Sequence, residues 1–245
     1  MPSLPGHSAE RMRRFYAEVA TAPAEGRFAV TLDGRTPRSP RGLPLVLPSA
    51  ALAELVGAEW AAQGEHILPA TMPATRLAWT ALATVEPGVR QASVERIASF
   101  AGSDLLCYFA DWPTELRVRQ ERDWGPVIDW AEAALGVSFV RARGVMHQPQ
   151  PEATVARIAA LAGADDDFAL AGLAAATALL GSAILAFALR RGRLAADAAF
   201  ALARLDETFQ EGKWGADAEA TARAEAMATE AAMLGRWFGG LEARH

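Results

Sequence analysis

The chain has 245 residues, enough for one large domain or two modest ones with an ample core. Its composition, 51% hydrophobic and 22% charged, excludes wholesale disorder. A formal net charge of −5 matches nucleic acid poorly, so no nucleic-acid partner is expected.

Taken in order, Ser8 is placed to cap a short amphipathic helix reaching about Val19, with Phe15 and Tyr16 on its apolar side. The N-terminus has basic residues but no apolar h-region, so a secretory signal is not expected. Arg27 to Leu32, RFAVTL, alternates as a strand does, and Asp33-Gly34 is a hairpin turn. Pro37 and Pro40 restrict the returning strand to an edge, and LPLVLP from Leu43 gives a third strand. Ser49 then caps a helix carrying Leu52, Leu55, Val56, Glu59 and Trp60, closed by Gly64. Pro73 opens the next helix, which Pro87-Gly88 ends.

The fold expected is therefore α+β, a small β-containing N-terminal domain (1–87) followed by an all-α helical-bundle domain (88–245). In the second part the periods predict helices over Val89–Ala101 and Pro113–Leu135. Between them SDLLCYFAD reads as a short extended segment, as does VSFV at 137–140, and GVMHQPQP as a loop. Pro151 starts a helix to about Leu161. Phe168 to Leu189 contains no charge, with acid before it and Arg190, Arg191 and Arg193 after it, the order that complements one helix dipole. Such a helix would be roughly 33 Å long, enough to cross a bilayer. Its Ala, Gly, Ser and Thr content favours a buried bundle helix instead, with Gly181 a place for a bend or a tight contact. Two further helices are predicted, about Leu194–Gln210 and, capped by Asp217, onward to Phe238, stacked on it as an antiparallel bundle.

Motifs for chemistry are sparse. The four histidines are scattered without metal-site spacing, and neither a phosphate-binding glycine loop nor a GxSxG elbow occurs. No catalytic residue, metal or cofactor is expected. Cys107 is alone among apolar neighbours, which reads as a buried, inert thiol. Asp165, Asp166 and Asp167 can be a cation site or a helix N-terminus, and the second explains them better. The densest polar cluster is LDETFQEGKWGADAEA, with Asp206 and Gln210 on one helix face and Glu207 and Glu211 on another. It can be a solvated face, a surface that meets a partner's basic groups, or an acid–base pair, although no His or nucleophile is near it in sequence.

Six segments in order, RFAVTLDGRTPRSPRGLPLVLPS, EWAAQGEHILPATMPATRL, SDLLCYFAD, RQERDWGPVIDW, GSAILAFAL and LDETFQEGKWGADAEA, give a specific resemblance. The chain resembles the F-type ATP synthase assembly chaperones that hold the alpha subunit before the catalytic head forms. That resemblance implies a non-enzymatic chaperone with an N-terminal β-containing domain and a C-terminal helical one. Its partner would be unassembled alpha subunit, without stable membrane insertion, and a monomer is favoured. The family's functionally important acid falls on Asp206 with Glu207 beside it, and its EW pair on Glu59 and Trp60. The partner-binding set expected is thus Asp206, Glu207, Gln210, Glu211, Trp214 and Trp60, although for Trp60 the core reading is favoured. The chain departs from the family at Trp79 and the ALAT after it, and at Phe109, where more polar residues are expected. Mitochondrial members carry a presequence, so the resemblance implies a bacterial cytoplasmic member. The alternatives are a small hydrolase using Glu207 and Glu211, and a membrane-anchored protein using 168–189.

Overall fold

The computed structural model describes residues 12–144, 146–215 and 217–242. The expected first helix is overturned where it can be seen, and its cap, Ser8, lies outside the described residues. Arg13 forms a bridge to His66, the Ile67 N–H donates to Met12 O at 2.8 Å, and the chain stays extended into strand β1, Val19–Ala24. The Arg14 guanidinium holds it there by donating to the carbonyls of Tyr16, Ala17, Ala61 and Gln63. Two of those carbonyls close the end of the following helix, where a cation is favoured.

Strand β1 pairs antiparallel with β2, Arg27–Leu32, and β2 with the short β3, Val46–Leu47. The β1–β2 turn is Glu25-Gly26, with φ of 48° and 75°, the left-handed pair that suits a two-residue hairpin. Asp33-Gly34 turns as expected, but the returning RTPRSP is not a strand. It makes only the bridges Leu32–Arg35 and Arg38–Pro44, because its prolines remove ladder donors.

Helix α1 spans Ala50–Ala61, and its cap is the Ser49 hydroxyl, which accepts from the Leu52 N–H. Helix α2, Pro73–Ala83, starts on a proline, and α3 runs Pro87–Ala101. After one 3-10 turn, Leu105–Cys107, come β4, Tyr108–Phe109, and α4, Thr114–Leu135. The extended segment expected at VSFV falls two residues later, as β5, Ala142–Arg143, parallel to β4. Then follow α5, Glu152–Ala164, α6, Asp167–Leu180, and α7, Ala183–Arg190. The chain ends in α8, Ala196–Ala203, α9, Leu205–Trp214, and α10, Ala218–Glu242. The Asp217 carboxylate caps α10, accepting from the Ala220 N–H at 2.7 Å. Helix α6 packs on α2, α3 and α10, while α1 lies against β1, β2 and α10. The architecture is α+β.

The apolar run is buried, as expected, but it is two helices. Gly181 takes the left-handed conformation at φ 65°, and the Ser182 hydroxyl starts α7 by accepting from the Leu185 N–H. Beneath the break lies Asp104, wholly buried. Its carboxylate accepts from the Ser182 hydroxyl at 2.6 Å and from the Ile184 and Leu106 N–H groups at 3.0 and 3.1 Å. Among the described residues no helix is long and apolar enough to cross a membrane, so the span considered for 168–189 does not form. The helix expected over Leu194–Gln210 is likewise interrupted at Arg204, and Asp206 and Glu207 occupy the first turn of the new helix, where acids are favoured. The acidic triplet serves the start of α6: Asp166 accepts from the Phe168 and Ala169 N–H groups, Asp167 meets Arg90, and Asp165 meets Arg190.

Close packing of α6 against α10 depends on Gly172. A Cβ there would come within 2.9 Å of the Trp237 and Phe238 rings, both buried. Gly172→Val should cost about 1–3 kcal/mol by overpacking, read as a fall in Tm of several degrees.

Burial raises the Asp104 carboxyl to about 6, against the opposing pull of its Ser182 and backbone hydrogen bonds. A carboxyl raised in the fold contributes stability that is fully present below its unfolded value and lost as pH rises through the folded one. Asp104→Asn cannot titrate, and its amide presents donors to the N–H groups of the cluster, so it should be less stable throughout. Its deficit relative to the native chain should shrink by about 1 kcal/mol between pH 5 and 7.5, which denaturant titrations at the two pH values would measure.

Candidate functional site

The polar cluster singled out in the sequence opens onto a groove. Its floor is half-buried or buried apolar surface from Phe100, Leu105, Tyr108, Phe109 and Leu116, and its volume is about 780 Å³. Asp206 and Gln210 of α9 form one wall, and Trp112, 80% exposed, stands at the other. Strand β4 supplies Tyr108 and Phe109 to this floor; it pairs with the short β5, and Phe109 packs edge-on against Trp124 of α4.

Asp206 is half buried and held by one chain of hydrogen bonds. The Ala110 N–H donates to Gln120 Oε1 at 2.7 Å, and Gln120 Nε2 donates to Asp206 Oδ1 at 2.8 Å. Gln120 itself is wholly buried in α4, so its amide has to be satisfied from within. Asp206 therefore positions the loop that carries Trp112. Burial pushes its carboxyl above the ordinary aspartate range, the Gln120 hydrogen bond opposes this, and the neighbouring Glu207 adds to it.

The remaining members of the expected set divide. Glu207 and Gln210 are exposed, and Trp214 is 75% exposed at the end of α9. Glu211 accepts from Arg204 Nη2 at 2.5 Å, so its charge is already matched within the chain. Lys213 lies 4.9 Å from the Phe209 ring centroid. Trp60 is not brought to this groove. It is 5% exposed, packed edge-on against Tyr16 and Trp79, and its carbonyl accepts from the Tyr16 hydroxyl. Its partner in the EW pair, Glu59, caps α2 by accepting from the Ala74 and Thr75 N–H groups, each at 2.7 Å. Burial raises the Glu59 carboxyl, and those N–H groups pull it back. Cys107 is buried, and burial pushes its thiol up, as expected of an inert group.

Sequence reasoning missed Gln120 and the role of Tyr108 and Phe100. It gave Trp112 no role, and nothing local separates that exposed tryptophan from Trp124 and Trp237, which are buried. A glutamine at an inward position of an amphipathic helix was the available signal for Gln120. Among the described residues no group of three His, Cys, Asp or Glu is placed to hold a metal ion.

An open apolar groove, rimmed by acid and flanked by exposed tryptophan, is the anatomy of a surface that holds another polypeptide. The class indicated is a chaperone. The profile of the family described as "ATP12 chaperone protein" matches residues 13–132. The crystal structure of Atp12 from Paracoccus denitrificans superimposes with a TM-score of 0.84 at 38% identity, covering 93% of this chain and 97% of that one. The Atu1473 protein of Agrobacterium tumefaciens gives 0.86 at 42% identity, over 94% and 86% of the two chains. Mitochondrial atp12 of Schizosaccharomyces pombe is 25% identical over 216 residues, 83% of this chain and 74% of that protein. The chain belongs to the ATP12 chaperone family, whose members serve ATP synthase assembly.

Two substitutions separate hydrogen bonding from charge at Asp206. Asp206→Asn keeps an oxygen for Gln120 and should melt close to the native chain. Asp206→Leu leaves the buried amide without an acceptor and should cost about 1–3 kcal/mol, measured by denaturant unfolding.

Proposed function

We propose that this chain binds unassembled ATP synthase alpha subunit and hands it on to the assembling catalytic head, without enzymatic activity of its own. The single observation that carries the proposal is the meeting, in one groove, of a desolvated carboxylate on α9 with an exposed tryptophan and an apolar floor. A subunit awaiting its neighbours exposes apolar interface, and a groove of this kind covers such surface while its acid selects a basic rim. In this reading Asp206, Gln210 and Trp112 make the central contact, Glu207 and Trp214 lie at its edge, and Glu211 supports them through Arg204. Trp60 lies apart from this groove, packed in the N-terminal unit, 1–87, against Tyr16 and Trp79. The helical unit, 88–245, supplies the groove. A chaperone of this kind works as a soluble cytoplasmic monomer at near-stoichiometric ratio to its client.

The hydrolase alternative requires Glu207 and Glu211 to act together. Glu211 is engaged by Arg204, and Glu207 stands in solvent, outside the residues that line the groove.

The test is suppression of aggregation of isolated alpha subunit by equimolar purified chain. Asp206→Asn, which preserves the Gln120 hydrogen bond, should weaken suppression with little change in Tm. Asp206→Lys should abolish most of it and also lower Tm by several degrees, since lysine offers Gln120 no acceptor. Native-level suppression by Asp206→Asn together with Trp112→Ala would move the client to another surface.

A further inference from the structure

A second cavity lies in the other half of the molecule, between the Asp33–Pro40 loop, the segment before β1 and the helices α1 and α2. Its volume is about 980 Å³, within the range of sites that bury a bulky ligand group. The walls are apolar, and Phe15 and Leu68 stand exposed at the mouth, Phe15 by 65%. Two features point to a ligand. Trp60 and Trp79 both line the cavity, and the indole N–H of each is buried without an acceptor among the described residues. Such donors are paired in most folded proteins. Arg35 and Arg38 stand at the rim, and neither has a carboxylate within ion-pair distance among the described residues. Asp33, the one acid among the described lining residues, is spent on the Ala17 and Glu18 N–H groups. A chain of net charge −5 therefore presents a locally cationic, donor-rich apolar hole.

We infer that this cavity between the Asp33–Pro40 loop and α1–α2 is a second client site, which takes a bulky apolar side chain from an extended, acidic polypeptide segment. The apolar side chain fills the hole, a backbone carbonyl beside it supplies the acceptor that the indoles lack, and a neighbouring carboxylate meets Arg35 and Arg38. An extended peptide presents a carbonyl at every residue. A fatty acid would answer the arginines but offer nothing at the depth of the indoles. The site rests on the chaperone reading and adds to it a contact of opposite charge preference to the groove at Asp206.

The experiment uses the full chain and a fluorescein-labelled nine-residue peptide with a central Phe flanked by two Glu on each side. A second peptide carries Lys in place of each Glu. Fluorescence anisotropy should show the acidic peptide binding at least about tenfold more tightly than the basic one. Arg35→Glu combined with Arg38→Glu, both on the surface, should reverse that order. Trp79→Phe, which keeps a ring and deletes a donor, should weaken the acidic peptide several-fold. Equal binding of both peptides, or indifference to the arginine reversals, overturns the assignment. So does displacement of neither peptide together with tight binding of dodecanoate, which would make the cavity a lipid site. A chain that captures alpha subunit in an Asp206-dependent way and yet binds no acidic peptide would sink the cavity and leave the groove standing.

Discussion

One buried carboxylate organises the centre of the molecule. Asp104 sits where three pieces of chain meet, the end of the α3 segment, the 3-10 turn before β4 and the first turn of α7, and it accepts hydrogen bonds from the last two. An unpaired charge in that place would be untenable. With its donors in place it fixes the break between α6 and α7, and with it the direction in which β4 leaves the core. The apolar floor of the groove follows from that direction. Burial of α6 and α7 supplies the driving force, but it is non-directional, and the carboxylate determines where the chain turns.

The two polar arrangements on either side of the core work by the same logic. Glu59 reaches from α1 to cap α2, and Gln120 reaches from α4 to Asp206. Each joins elements that apolar packing alone would leave free to slide. Each also places an ionisable group in a partly dry setting, which raises its carboxyl. A charge kept in such surroundings is available to a partner at little reorganisation cost, provided the partner brings the opposite sign.

Much of this was legible in the sequence. Ser49, Pro73 and Asp217 mark helix starts through local hydrogen bonding or a preset φ, and the structure places helices there. The uncharged run was readable as core from its small residues. The strands were harder. Glu25-Gly26 makes the first hairpin turn, but glutamate is not among the residues that advertise a left-handed pair, so β1 was not read as a strand. The break at Gly181 was visible only as a glycine, since Asp104, which requires it, is distant in sequence. In the site, Asp206 and Gln210 were legible because they share a helix face. Trp112 and Gln120 arrive from other elements, and no periodicity reports that. Trp60, also marked by the resemblance, lies in the other half of the fold, since helix α1 carries its ring toward Tyr16 and Trp79.

The aromatic-backed ammonium of Lys213, 4.9 Å from the Phe209 centroid, has a practical consequence. It is the sole lysine of the chain, and it stands at the exposed end of α9, beside Trp214. Amine-directed cross-linkers, dyes and acylating agents therefore find a single side chain to attach to. That gives the exposed end of α9 its own address for chemical labelling, shared only with the chain's α-amino group.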